Sequence, residues 1–109
     1  MGQVSDREVA EGRQSQGENE AWVYSFDMTA WGSAPTSPTV TVIDRTAGNT
    51  DVTALVTSGS PSINGNKIVT PLIRKLKRGH SYLVKARAVF GANTGEAWMT
   101  LVCEEPEDM

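Results

Sequence analysis

Alternation of side chains with a period of two is the feature of this sequence that most restricts its fold. In the segment 22–28, one face carries the large apolar side chains Trp22, Tyr24, Phe26 and Met28. This repeat is that of a β-strand with one buried face. No segment repeats apolar residues every 3.6 positions over three helical turns. The chain is therefore predicted to be all-β.

Further strands are predicted downstream, separated by turn sequences. They span 39–44, 52–57, a hairpin whose strands meet at Ile63 and Ile68, 81–90 and 96–103. Asn64-Gly65 favours a tight hairpin, and two prolines and a glycine predict a loop over 31–38. Pro71 indicates that the strand from Ile68 to Leu72 is an edge strand or ends early. About seven short strands at spacings of roughly ten residues predict an antiparallel β-sandwich.

The predicted core follows from the same alternation. It includes Trp22, Tyr24, Phe26, Leu76, Tyr82 and Val84. In 52–57 the inward residues would be Val52, Ala54 and Val56. The last strand leaves two choices, with either Ala97, Met99, Leu101 and Cys103 or Trp98, Thr100 and Val102 inward.

Apolar residues are unevenly distributed, and this predicts three regions. Hydrophobic residues make up 39% of the chain, and few of them precede residue 20. Residues 1–20 are predicted to be a flexible polar arm that is disordered when alone, 21–105 the sandwich, and 106–109 an acidic tail. The arm and the tail hold most of the acids, so the segment 21–103 has eight bases against four acids.

Four of those bases, Arg74, Lys75, Lys77 and Arg78, lie within five residues. They are interpreted either as a solvated turn or, together with Arg7 and Arg13 of the arm, as a surface for an acidic protein partner. A nucleic-acid stripe usually contains more Lys and Arg, so no nucleic-acid partner is expected.

One cysteine, Cys103, allows no disulfide within the chain. No apolar run approaches 18 residues, and no basic-then-apolar signal sequence begins the chain. A soluble protein made in a reducing compartment, without a membrane partner, is expected.

The segment from Leu76 to Ala88 resembles the signature of fibronectin-III domains. It combines a leucine, a glycine corner at Gly79, Tyr82 six residues after the leucine, and alternating small apolar residues. The resemblance implies an immunoglobulin-like sandwich in which the Tyr82 hydroxyl bonds back to the backbone of the corner. The proline often found in such corners is absent.

The whole body, from Trp22 to Glu105, also resembles small β-sandwich proteins from the head and neck genes of tailed bacteriophages. The resemblance lies in the loop 31–38, the phrase Asp51-Val-Thr53, and Gly79-His80 leading into Tyr82. It implies a non-enzymatic virion protein of the neck, the head-to-tail joint or the decoration. Such a protein would be made in the host cytoplasm and would dock to other virion proteins and to copies of itself.

Catalytic chemistry has little support in the sequence. The only histidine, His80, would have to meet Cys103 and an orienting group to form a nucleophilic pair. Asp27, Asp44 and Asp51 are expected to bond to their own backbone. No metal-ligand cluster or phosphate-binding glycine loop occurs, so no metal or cofactor is expected.

Two interpretations of function therefore remain open. In the first, the arm, a strand edge or the basic residues dock to neighbouring subunits in a virion. In the second, Trp31, which lies in a Gly/Ser/Pro loop, stacks on a carbohydrate or another cell-surface ligand. Trp31 could instead fold back and cover the end of the core.

Overall fold

The computed structural model describes residues 6–8 and 13–104, with side chains from residue 14 onward. The predicted acidic tail at 106–109 and the side chains of Arg7 and Arg13 lie outside the described residues.

Eleven strands, several of only two or three residues, account for most of the described chain. They are β1 (Asp6–Glu8), β2 (Arg13–Gln16), β3 (Val23–Asp27), β4 (Thr36–Asp44), β5 (Thr50–Asp51), β6 (Thr57–Ser58), β7 (Ser62–Asn64), β8 (Lys67–Val69), β9 (Leu72–Ile73), β10 (Ser81–Phe90) and β11 (Asn93–Cys103). The only helical pieces in this part of the chain are a 3-10 turn, Thr29–Trp31, and one α-helical turn, α1 (Thr53–Val56). The chain is all-β, as predicted.

The strands form two larger sheets and one small one. The first has the order β2-β11-β10-β4-β5, the second β1-β3-β8-β7, and the third pairs β6 with β9. Most neighbours are antiparallel, but β1 is parallel to β3 and β2 is parallel to β11. The centre of the first sheet is β10, which pairs along its length with β11 on one side and β4 on the other.

One hydrophobic core lies between the larger sheets. The predicted core residues Tyr24, Phe26, Leu76, Tyr82 and Val84 are all buried, whereas Trp22 is half-buried and packs at its margin. Along β11 the inward face carries Met99, Leu101 and Cys103. The first of the two predicted faces is therefore the buried one, and Trp98 points to solvent.

The prediction of a strand over 52–57 is wrong, because Thr53–Val56 form a helical turn. The carboxylate of Asp51 accepts bonds from the backbone N–H of Thr53 at 3.0 Å and from its hydroxyl at 2.7 Å. This side-chain turn competes with a strand and starts the helical turn. Val56 is buried as predicted, but Ala54 is exposed.

The loop predicted over 31–38 is shorter in the structure, because β4 begins at Thr36. The pairing of β4 with β10 shifts register between Arg87 and Val89. Such an irregularity lets a strand contain a proline, here Pro38. The hairpin at Asn64-Gly65 is confirmed, with Gly65 at φ 64°, and β8 ends before Pro71 as predicted.

The predicted arm differs from the structure between residues 13 and 20. Strand β2 pairs with Thr100–Cys103, and Gln16 is 1% exposed. Its side-chain amide donates to the carbonyl of Ile73 at 2.8 Å and accepts from the Tyr24 hydroxyl at 2.5 Å. The polar composition of this segment predicts disorder, but the polar side chain of Gln16 attaches the segment to the body.

Candidate docking surface

The Tyr82 hydroxyl accepts a hydrogen bond from the backbone N–H of Lys77 at 2.8 Å, as the fibronectin-III resemblance implied. Gly79 turns the corner at φ 87°, a value that favours glycine. Burial raises the pKa of Tyr82, partly offset by that N–H. The corner that carries the basic residues is thus fixed to the core by one buried ring.

The four bases of the corner do not form one uniform patch. Lys75, Lys77 and Arg78 are exposed, but the Arg78 guanidinium lies 3.5 Å from the carboxylate of Glu18. Arg74 is half-buried. The cluster therefore serves partly to hold the N-terminal segment against the body.

His80 is engaged with Asp44 and not with a nucleophile. Its Nδ1 lies 2.9 Å and 3.2 Å from the two oxygens of the buried Asp44 carboxylate. Asp44 also accepts the backbone N–H groups of Thr46 and Ala47 at 3.1 Å each. The pair closes the end of β4, and Cys103 is fully buried in the core.

Asp27 and Asp51 accept hydrogen bonds from the nearby backbone, as predicted. Each accepts bonds from the N–H and hydroxyl of the threonine two residues on, Thr29 or Thr53. These bonds lower the pKa of both carboxyl groups. Both carboxylates act as local caps.

Trp31 covers one end of the core, although 44% of its surface stays exposed. Its indole lies so close to Gly95 that a Cβ there would be 2.4 Å from Trp31 Cδ1 and 3.0 Å from Phe90 Cε1. The ring is therefore packed over a strand glycine. This is the alternative in which Trp31 folds back onto the core.

The more exposed tryptophan is Trp98, which the sequence reading did not single out. It is 59% exposed and stands on the outer face of the first sheet, directly beside Lys85 on β10. Together with Leu83 and Arg45 these residues line a shallow cleft of about 350 Å³. The alternation along β11 could have indicated that Trp98 is exposed, because an inward Met99 and Leu101 require an outward Trp98.

We call these four residues, Arg45, Leu83, Lys85 and Trp98, the Trp98 face. Neither Arg45 nor Lys85 forms an ion pair within 4.0 Å in the part of the chain that the structure describes. An exposed aromatic ring flanked by two cations that have no ion pair within 4.0 Å is chemistry that suits an acidic partner with an apolar contact.

Within residues 6–8 and 13–104, no group of three or more His, Cys, Asp or Glu side chains is placed to hold a metal ion. The same residues include no helix long and apolar enough to cross a membrane.

Comparison with protein-family models, with curated proteins and with solved structures finds no match to this chain.

Proposed function

We propose that this chain is a non-enzymatic docking domain with an immunoglobulin-like sandwich fold. We further propose that it docks in the virion of a tailed bacteriophage, as a neck, head-to-tail joining or decoration component. Strand order supports the fold, the Trp98 face supports the docking role, and the sequence resemblance supports the virion setting.

The strand order supports the immunoglobulin-like fold. Immunoglobulin sandwiches place strands A, B, E and D in one sheet and G, F, C and C′ in the other. Here β3, β8 and β7 take the places of B, E and D, and β11, β10, β4 and β5 take the second set. Strand β1 lies at the edge where A would be but runs parallel to β3, which departs from the antiparallel pairing of that fold. The bond from Lys77 to the Tyr82 hydroxyl corresponds to the tyrosine corner of that fold.

The observation that carries the docking role is the Trp98 face. Tryptophan and arginine are the side chains that most often anchor protein interfaces, and Lys85 and Arg45 would attract acidic surfaces. An exposed tryptophan on the outer face of a sheet has no role in the core of its own domain.

The virion setting is supported by the sequence resemblance of residues 22–105. Particle symmetry would also suit a domain of this kind, because many weak contacts add up when the partners are repeated.

Mass spectrometry of particles purified from cells that carry the gene tests this function. We expect the wild-type chain in the particles and at least about a tenfold loss for Trp98→Ala, the effect of about 1.4 kcal/mol in binding. Leu55→Ala is the matched control, because Leu55 is 70% exposed and lines a different cleft, which it shares with Lys75 and Lys77. A wild-type chain found only free in the lysate would contradict the proposal.

Carbohydrate recognition through Trp31 is the second proposal. Its support is the 44% of the ring that remains exposed. Titration with oligosaccharides should then change the fluorescence of the wild-type chain and of Trp98→Phe equally. A change that disappears in Trp98→Phe would assign any sugar binding to the Trp98 face instead.

A further inference from the structure

A second cleft, of about 230 Å³, lies between the helical turn α1 and the corner that precedes β10. Its lining includes the apolar side chains of Val52, Leu55 and Val56 and the two bases Lys75 and Lys77. We call it the Lys75 cleft. It shares no described lining residue with the Trp98 face. Its volume is below the roughly 300–1,000 Å³ typical of sites for drug-sized ligands, so it suits a smaller molecule.

The Tyr82 hydroxyl provides a hydrogen-bond donor at the wall of this cleft. Tyr82 is 1% exposed, and its oxygen accepts the backbone N–H of Lys77, which also lines the cleft. A phenol can donate one bond as well, but no described residue accepts the hydrogen of this hydroxyl. Because burial raises the pKa of Tyr82, that hydrogen is retained at neutral pH. A buried donor of this kind is normally satisfied by a ligand or by water.

Lys75 and Lys77 add positive charge beside that donor. Both side chains are exposed, and within residues 14–104 neither ammonium group has a carboxylate within 4.0 Å. The backbone of Lys75 has φ 61°, a left-handed conformation that is uncommon for residues other than glycine. Backbone strain of this kind is concentrated at ligand-binding sites. The two cations therefore stand over an apolar lining without an internal partner.

The acidic residue of the lining, Asp44, is already engaged within its own turn. Its carboxylate accepts the backbone N–H groups of Thr46 and Ala47 and contacts Nδ1 of His80. The charge of Asp44 is thus directed away from a ligand, whereas the two lysines would repel a cation. An anion is the charge type that the cleft favours.

We propose that the Lys75 cleft binds a small aliphatic carboxylate, whose oxygens contact the Tyr82 hydroxyl and the ammonium groups of Lys75 and Lys77. The alkyl group of the ligand packs on Leu55 and Val52. Charge-assisted hydrogen bonds orient the carboxylate, and burial of the alkyl group against apolar side chains adds affinity. This ligand site is separate from the proposed docking function and does not depend on it.

Titration of the ¹⁵N-labelled full chain with 4-methylpentanoate, followed by NMR, tests the site. We expect the backbone N–H signal of Lys77 to shift and to saturate with a Kd of about 1 mM, the scale for a ligand of about eight heavy atoms. The neutral 4-methylpentanamide lacks the charge and acetate lacks the long alkyl group. Both should bind at least about tenfold more weakly.

Lysine variants locate the ligand within the molecule. Lys75→Gln and Lys77→Gln should each weaken 4-methylpentanoate at least about tenfold, because each removes one of the two cations. Lys85→Gln is the matched control: it removes the same charge from the Trp98 face and should leave the Kd unchanged. The spectra of the variants also show whether each chain is folded. In a folded Tyr82→Phe chain, loss of the donor should weaken the ligand as well.

Three results would overturn the proposal: no shift of the Lys77 signal up to about 20 mM 4-methylpentanoate, twenty times the expected Kd; equal affinity for the amide; or equal losses in Lys75→Gln and Lys85→Gln. Unchanged affinity in Tyr82→Phe would overturn the role of the hydroxyl. Recovery in particles is a separate readout. A chain that binds 4-methylpentanoate but is absent from particles would contradict only the docking function, and a chain in particles that does not bind it would contradict only the ligand site.

Discussion

One buried amide, that of Gln16, joins three separate segments at the scale of single residues. Its nitrogen donates to the carbonyls of Glu20 and Ile73, and its oxygen accepts from the Tyr24 hydroxyl. A buried polar group is stabilising only when its partners are present. The side chain is therefore expected to matter more than its place in a polar segment suggests.

We predict that Gln16→Leu lowers the free energy of unfolding by about 1–3 kcal/mol, because it removes the buried hydrogen bonds from Gln16 to the Ile73 carbonyl and from the Tyr24 hydroxyl to Gln16. Urea denaturation measures the loss. Ser15→Ala, on the opposite and exposed face of the same strand, is the control and should cost no more than about 0.5 kcal/mol. Equal losses in the two variants would contradict this role.

Gly95 is a second position where a single added atom, a Cβ, is expected to lower stability. We predict that Gly95→Ala lowers the free energy of unfolding by about 1–3 kcal/mol, since its Cβ would overlap the Trp31 indole. In the control Gly17→Ala, the new Cβ meets nothing closer than 3.6 Å. Thermal unfolding of both variants distinguishes overlap from the general effect of adding a methyl group; similar losses would contradict the packing described for Trp31.

At the scale of elements, the corner before β10 depends on the Tyr82 hydroxyl. We predict that Tyr82→Phe costs about 1 kcal/mol at neutral pH, the usual contribution of one hydrogen bond. Burial raises the pKa of this phenol above its ordinary value of 10.0, so the folded state favours the neutral form. The stabilisation that follows from the raised pKa is complete below pH 10. It is lost as the pH rises through the pKa of Tyr82 in the folded state.

The matching measurement is denaturation of wild type and Tyr82→Phe between about pH 8 and pH 11. The other titrating groups are common to both chains, so the difference between them reports Tyr82. The advantage of the wild type should shrink above pH 10, and an advantage that grows there would contradict the assignment.

Most elements could be predicted from the sequence because their alternation coincides with burial. Strand β10 lies where the pattern placed it, and the hairpin at Asn64-Gly65 follows from turn chemistry. The segment 52–57 could not be predicted in this way, because its alternating Val52, Ala54 and Val56 fit a strand while Asp51 and Thr53 begin a helical turn. Local side-chain bonds decided between the two.

The candidate site was less predictable than the fold. The position of Trp31 in a loop predicts an exposed ring, yet loops at the end of a sandwich often close over the core. The sequence does not identify Trp98 as exposed, because both faces of β11 carry apolar residues and only the structure shows which face is outward. The sequence leaves the basic corner either as a solvated turn or as a partner surface, and it does not predict the ion pair of Arg78 with Glu18.

At the scale of the whole molecule, the segment 13–20 contributes to the free energy of unfolding of the sandwich. We predict that a chain starting at Glu20 unfolds at a lower urea concentration than one starting at Arg13, because it lacks β2 and Gln16. The expected loss is at least about 2 kcal/mol, the scale of an unsatisfied buried group. Equal midpoints would contradict the docking of this segment on β11.

The parallel pairing of β2 with β11 also sets the order of events during synthesis. Arg13 pairs with Thr100, 87 positions later in the chain. The ribosome therefore releases β2 long before its partner, and the edge of the first sheet stays open until translation of β11 is complete. Contacts between such distant residues slow folding. The first strand of that sheet to be synthesised can therefore pair only after the last one has been made.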